Sequence, residues 1–148
     1  MIAKKLLFLL LLLPTLCFAQ FKTGVYYVTD SASGTKMCTD SVHCFYLNPT
    51  PIVTIKNYIK IKSVREPYMG TYDISIALDK EGTVAFDSAT KKAINKLLAF
   101  VINNKVVSAP MVRDEIKSGK FNISGSFYKK EETDKLVKQL LEEKKEGK

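Results

Sequence analysis

Tyr72-Asp73-Ile74-Ser75-Ile76-Ala77-Leu78, followed at once by Asp79, is the stretch that decides the fold. Tyr72, Ile74, Ile76 and Leu78 alternate with Asp73, Ser75 and Ala77, the period of a strand with one dry and one wet face. Asp79 is a good helix N-cap. Behind it Ala85, Phe86, Ala89, Ala93 and Leu97 recur at helical spacing and make one apolar stripe. A half-buried strand running into an amphipathic helix predicts a sheet covered on one side.

The same grammar extends in both directions. Upstream, Ile59 and Ile61 alternate with Lys60 and Lys62, and Glu66-Pro67-Tyr68-Met69-Gly70 supplies a turn, so a hairpin leads into the Tyr72 strand. Downstream, Leu98–Ile102 reads as a buried strand. Asn103-Asn104 can turn the chain, because Asn tolerates positive φ. Val106–Ala109 returns and Pro110 stops it. Met111–Lys120 is expected to connect, with a helical turn at Arg113–Lys117. Phe121–Ser124 reads as a further strand. A last helix begins near Lys129, with Thr133, Leu136, Val137, Leu140 and Leu141 buried, Glu131–Lys135 and Asp134–Lys138 paired, and a frayed tail from Glu142. The expected fold class is α+β, a mostly antiparallel sheet with two main helices packed on one face.

The N-terminal third adds two strands, Gly24–Val28 and Phe45–Leu47, around a polar loop at Thr29–Lys36. Asn48-Pro49-Thr50-Pro51 is a stiff break. The expected organisation is therefore a leader at 1–19, an N-terminal hairpin region with a Cys pair at 20–50, and an α+β domain at 51–148 ending in a charged tail.

Met1–Ala19 has the form of a cleavable signal peptide: Lys4 and Lys5, the apolar run Leu6–Leu13, Pro14, then Cys17-Phe18-Ala19. That run is short of the roughly 20 apolar residues of a membrane span. Cleavage after Ala19 leaves 129 of the 148 residues, one domain with a core and no later membrane span, in the periplasm or at the surface of a bacterium. An uncleaved anchor and a lipoprotein centred on Cys17 are the rival readings. The net charge of +8 falls to +6 as Lys4 and Lys5 leave, and Arg65 and Arg113 are the only arginines. Base and phosphate readers lean on Arg, so a nucleic-acid partner is not expected.

Cys38 and Cys44 remain, and in an oxidising compartment a lone close pair reads as a disulfide. The alternative is a metal site that adds His43, the one histidine, to the two cysteines, and it would still lack a full ligand set. Metal and cofactor are not expected. Enzymatic readings find little to build on. Asp73 and Asp79 could be offered as an acid pair, but a wet-face position and a helix cap explain them. No Gly-x-Gly occurs.

The order of motifs resembles the head subdomain of the first periplasmic domain of SecD. It runs from Ile74–Leu78 through Gly82, Phe86 and Thr90 to Leu98–Ile102. It continues with Ser108-Ala109-Pro110, Ile116 and Gly119, then Ile123-Ser124-Gly125 and Phe127, and ends on Leu136 and Leu140. The resemblance covers about Tyr72–Leu141. Asn104 departs from the Gly usual in that turn, Thr133 from the usual Ala, and the last helix lacks a Thr cap after Phe127. The resemblance implies a stand-alone relative of the head, without base or transmembrane parts, that acts as a non-catalytic binding module touching unfolded or exported polypeptide. A structural or assembly role beside an envelope protein is the alternative, and a small hydrolase a distant third. Lys60 and Lys62 mark a possible binding edge, with weak attraction for acidic segments.

Overall fold

The structure is a computed structural model and describes residues 20–39, 42–125 and 129–147. The leader reading and Phe127 lie outside the described residues. Nine strands are described: β1 (Gly24–Thr29), β2 (Thr35–Cys38), β3 (Cys44–Leu47), β4 (Val53–Thr54), β5 (Tyr58–Arg65), β6 (Tyr72–Leu78), β7 (Leu98–Ile102), β8 (Lys105–Ser108) and β9 (Lys120–Ser124). Two helices accompany them, α1 (Lys80–Lys92) between β6 and β7 and α2 (Lys130–Glu146) after β9. One sheet has the order β2-β3-β1-β7-β8, with β4 also on β1; the other has the order β5-β6-β9. Every named strand pair is antiparallel, so the α+β expectation holds. β1 lies before the Asn48–Pro51 break and β7 after it, yet they pair, so both segments share a sheet.

The main core lies between the sheets and both helices. Ile61, Ile74, Ile76, Phe121 and Ile123 meet Phe86 of α1, Ala93 just past its end and Leu140 of α2 in one cluster. Strand β7 is buried along its whole length. Leu98, Phe100 and Ile102 point into this cluster, while Ala99 and Val101 point into a second one with Tyr26, Met37 and Leu47. A strand covered on both faces reads as an unbroken apolar run, which is how LAFVI appears.

Local chemistry sets the junctions. Asp79 accepts Gly82 N–H at 2.7 Å and caps α1. Gly82 lies so close to Asn57 that a Cβ would come within 2.8 Å of the Asn57 Cβ. Glu132 accepts the Lys129 N–H at 3.3 Å and ties the first turn of α2 back to the residue before it. The buried Thr133 hydroxyl has Lys129 O at 3.1 Å and Tyr72 O at 3.4 Å. Asn103 and Asn104 take φ of 49° and 60°, the left-handed pair that a two-residue hairpin turn wants. The Asn104 side chain adds what Gly cannot, accepting Phe21 N–H at 2.9 Å.

Several expectations are corrected. Thr35–Cys38, read in part as loop, is strand β2, because Thr35 to Cys38 pair in register with Leu47 to Cys44. Ile59 is 64% exposed while Ile61 is buried. A bulge between Tyr58 and Lys60 resets the alternation and puts Tyr58 in the core in its place. Asp73 is buried, not wet, in the cross-strand row with Val64 of β5 and Ser124 of β9. Its Oδ1 has no hydrogen-bond partner. Helix α1 stops at Lys92, and Leu97 lies beyond a turn in which Asn95 has φ of 63°. Arg113–Lys117 is not helical. Bridges from Ile94 to Val112 and from Leu97 to Met111, and the Ile116 N–H given to Thr90 Oγ1, hold that segment extended. On α2, Lys130 pairs with Asp134, and Leu141 is exposed. The tail from Glu142 does not fray; it is helix to Glu146, anchored where Thr23 donates to Glu143 at 2.7 Å and Lys144 donates to the Tyr58 carbonyl.

Candidate functional site: an apolar cleft beside an edge strand

Among the described residues strand β9 pairs with β6 on one side only. Phe121 and Asn122 of β9 help line an apolar cleft of about 380 Å³, within the range of small-ligand pockets. Its floor is aromatic. Phe121 of β9 stacks on Phe100 of β7 at 5.2 Å and lies 4.8 Å from Phe86 of α1. Leu98 and Thr90 complete the inner wall, and Pro110, Met111, Val112 and Ile116 make the outer one. Met111 is 44% exposed at the opening, with Arg113 and Asp114 beside it.

Thr90 is fully buried, but its hydroxyl is committed to the wall, donating to Asp87 O and accepting from Ile116 N. Glu115 and Lys117 form an ion pair at 2.6 Å next to the cleft, and the carboxylate holds the lysine above its usual range. The cleft therefore offers apolar surface, an open strand edge and a polar rim. That combination suits side chains of an extended chain, with backbone pairing along β9. Among the described residues no group of three His, Cys, Asp or Glu could hold a metal ion.

The residues singled out in the sequence separate into groups. Phe86, Thr90 and Pro110 line the cleft. Gly82 and Gly119 flank the start of α1. Gly119 has φ of +64°, and a Cβ on it would meet Thr83 Oγ1 at 2.1 Å. Ser108 pairs with Phe100, and Ala109 packs on the second cluster. Ser124 pairs with Asp73, and Gly125 follows it at the strand end. Cys38 and Cys44 are bonded across the β2–β3 pair, with Cα atoms 3.9 Å apart. Lys60 and Lys62 are exposed on β5, an outer strand of the other sheet edge. The outer wall from Met111 to Ile116 was read as a connection. Its one sequence signal is Met111-Val112, an apolar pair after Pro110 that a solvated loop would not need.

A polar knot on the far side fixes the frame. Thr23 Oγ1 accepts the Asn103 N–H at 3.2 Å while donating to Glu143. Burial raises the Tyr58 phenol far above its usual range, with Glu143 and Tyr26 adding to the effect. Tyr26 is also raised by burial, against a hydrogen bond to the Lys22 carbonyl that lowers it.

Comparisons with known proteins converge. A family model described as the SecDF P1 head subdomain matches residues 28–142. The protein translocase subunit SecD of Acetobacter pasteurianus is 36% identical over 72 residues, 49% of this chain and 14% of that protein. SecD of Calditerrivibrio nitroreducens is 39% identical over 72 residues, 49% of this chain and 13% of that protein. SecD of Aquifex aeolicus is 32% identical over 95 residues, 64% of this chain and 19% of that protein. The chain thus spans less than a fifth of the length of these relatives. A solved structure of SecDF, described as a membrane component that enhances protein export, superposes with a TM-score of 0.63 at 21% identity, covering 81% of this chain and 63% of that one. SecDF in its super-membrane-facing form gives 0.66, covering 82% and 19%.

Proposed function

The chain belongs to the SecDF P1 head subdomain family, and on that premise we propose that it is a non-catalytic, exported module that binds extended polypeptide at the β9 cleft. One observation carries this reading: an apolar cleft of about 380 Å³ is lined in part by Phe121 and Asn122 of β9, a strand that among the described residues pairs on one side only. Backbone pairing along an edge is indifferent to sequence, and an apolar cleft accepts many side chains. The two together suit a surface that meets varied chains. Relatives named as protein translocase subunits and as an export-enhancing membrane component support an encounter with exported polypeptide.

Export of this chain rests on Met1–Ala19 acting as a cleaved leader, which places the domain outside the cytoplasm. Intact mass should then begin at Gln20. A mature species that keeps Met1 refutes this part. Among the described residues no helix is long and apolar enough to cross a membrane.

The binding test uses a reduced, carboxymethylated polypeptide as the unfolded probe and fluorescence anisotropy as the readout. Met111→Glu places a charge at the cleft mouth and should weaken binding by about tenfold, near 1.4 kcal/mol. Lack of binding by the unaltered protein, or equal affinity in the variant, would sink the cleft as the site.

A further inference from the structure

The face of the β5-β6-β9 sheet turned away from the helices carries a charge pattern that the cleft does not use. Cross-strand register puts Lys60, Ala77 and Lys120 in one row and Lys62, Ser75 and Asn122 in the next. Lysines therefore stand on both outer strands, over a floor of small side chains on the central one. All three lysines are exposed. Among the described residues none of them has an acidic partner, whereas Lys117 and Lys130 do. The one carboxylate on this face, Asp73, is buried in the row with Val64 and Ser124, toward the hairpin turn. Like charges gathered over a small-residue floor repel one another, and an anionic partner would relieve that repulsion.

The spacings select the partner. Two strand intervals separate the outer columns by about 10 Å, the diameter of an α-helix with its side chains. Lys60 and Lys62 are two residues apart on one face, roughly 6.7 Å along the strand. An i,i+4 step on a helix rises about 6 Å. A helix laid along β6 with Glu or Asp at i and i+4 would meet both β5 lysines with one flank and Lys120 with the other. A lipid surface fits less well, because the exposed large apolar side chain on this face, Ile59 at the bulge beside Lys60, stands singly at one end of β5 and makes no patch to enter the bilayer. Val64, at the other end of the strand, is half-buried.

We propose that the open face of β5-β6-β9 docks an acidic helical polypeptide segment through Lys60, Lys62 and Lys120. This surface is separate from the β9 cleft, and its test does not depend on the cleft.

The probe is a blocked helical peptide of roughly 16 residues built from Glu-Ala-Ala-Ala repeats, titrated into the full exported protein. The comparison probes are its Lys-for-Glu counterpart and phosphatidylglycerol vesicles. Binding should occur at low salt and weaken at least tenfold between about 25 and 200 mM salt. The K60E/K62E/K120E variant should lose at least tenfold. The milder K60Q/K62Q/K120Q keeps the test open if charge reversal disturbs folding. K91E/K92E/K105E, with the same net charge as the first variant, should change affinity by less than twofold. Lack of peptide binding, an equal loss in that control, or binding to vesicles but not to peptide would each overturn the proposal.

Discussion

Replacing Thr23 by valine removes one hydroxyl and keeps the side chain's shape. Thr23 is 2% exposed, and its Oγ1 joins three segments: its own strand entry, the β7–β8 turn through Asn103, and α2 through Glu143. A hydrogen bond to a charged acceptor contributes about 1.5–3 kcal/mol. Loss of the acceptor for the Asn103 N–H adds a further cost of about 1 kcal/mol. The extra buried methyl of valine returns about 0.8 kcal/mol. The expected net loss is therefore roughly 2–3 kcal/mol, against a total stability of about 5–15 kcal/mol. For a domain of this size that lowers Tm by about 6–15 °C. Urea unfolding followed by far-UV circular dichroism should show a lower midpoint at unchanged slope. A cycle with Glu143→Gln should give a coupling of at least about 1 kcal/mol. A loss under about 0.5 kcal/mol, or strict additivity with Glu143→Gln, would refute the claim that this hydroxyl ties the end of α2 to the sheet.

Gly119→Ala and Gly70→Ala test what a left-handed backbone costs with and without crowding. Both glycines have positive φ, but the added Cβ meets Thr83 Oγ1 at 2.1 Å in one case and nothing nearer than 3.6 Å in the other. Thermal melts should show Gly119→Ala losing about 2–3 kcal/mol and Gly70→Ala about 1; equal losses would remove the crowding argument. The phenols give a pH test. Burial raises Tyr26, Tyr27 and Tyr58 above their usual range, so the fold favours their neutral form. The stability they contribute is complete below about pH 10 and is lost as pH rises through the folded values. Ultraviolet titration should leave these three of the seven tyrosines ionising late, together with unfolding. Seven phenols titrating together near the ordinary value in folded protein would contradict their burial.

Features set by near neighbours were legible in the sequence. The Tyr72–Leu78 alternation, the Asp79 cap, the Asn103-Asn104 turn and the continuous apolar run of β7 each follow from a few adjacent residues. The misses depend on distant partners. β2 is a strand because β3 lies beside it. Ile59 faces solvent because one extra residue breaks the alternation. The final turns of α2 stay helical because Glu143 meets Thr23 across 120 positions of sequence. The cleft was the hardest to read. Its floor and walls come from α1, β7, β9 and the segment after Pro110, and no single stretch carries the pattern. Phe86, Thr90 and Pro110 were singled out as motif residues, but only the folded chain shows that they share one surface.

The pairing of β1 with β7 has a consequence for the order in which the chain can fold. Gly24–Tyr27 lie opposite Val101–Leu98, so the first strand's main partner is made only after two-thirds of the chain. A chain delivered from its N-terminus has β1 ready early with that long edge unfilled. Closing so large a loop is slow compared with forming a local hairpin. The β2–β3 hairpin, clipped by Cys38–Cys44, and the β5–β6 hairpin can each form while β1 waits. Leu98–Ile102 then give the two cores a shared wall, and the later residues Val106, Phe121, Ile123 and Leu140 complete them. Of the neighbours of β1, β3 and β4 come early in the chain and β7 comes last, so the edge that meets β7 is the final one to be filled.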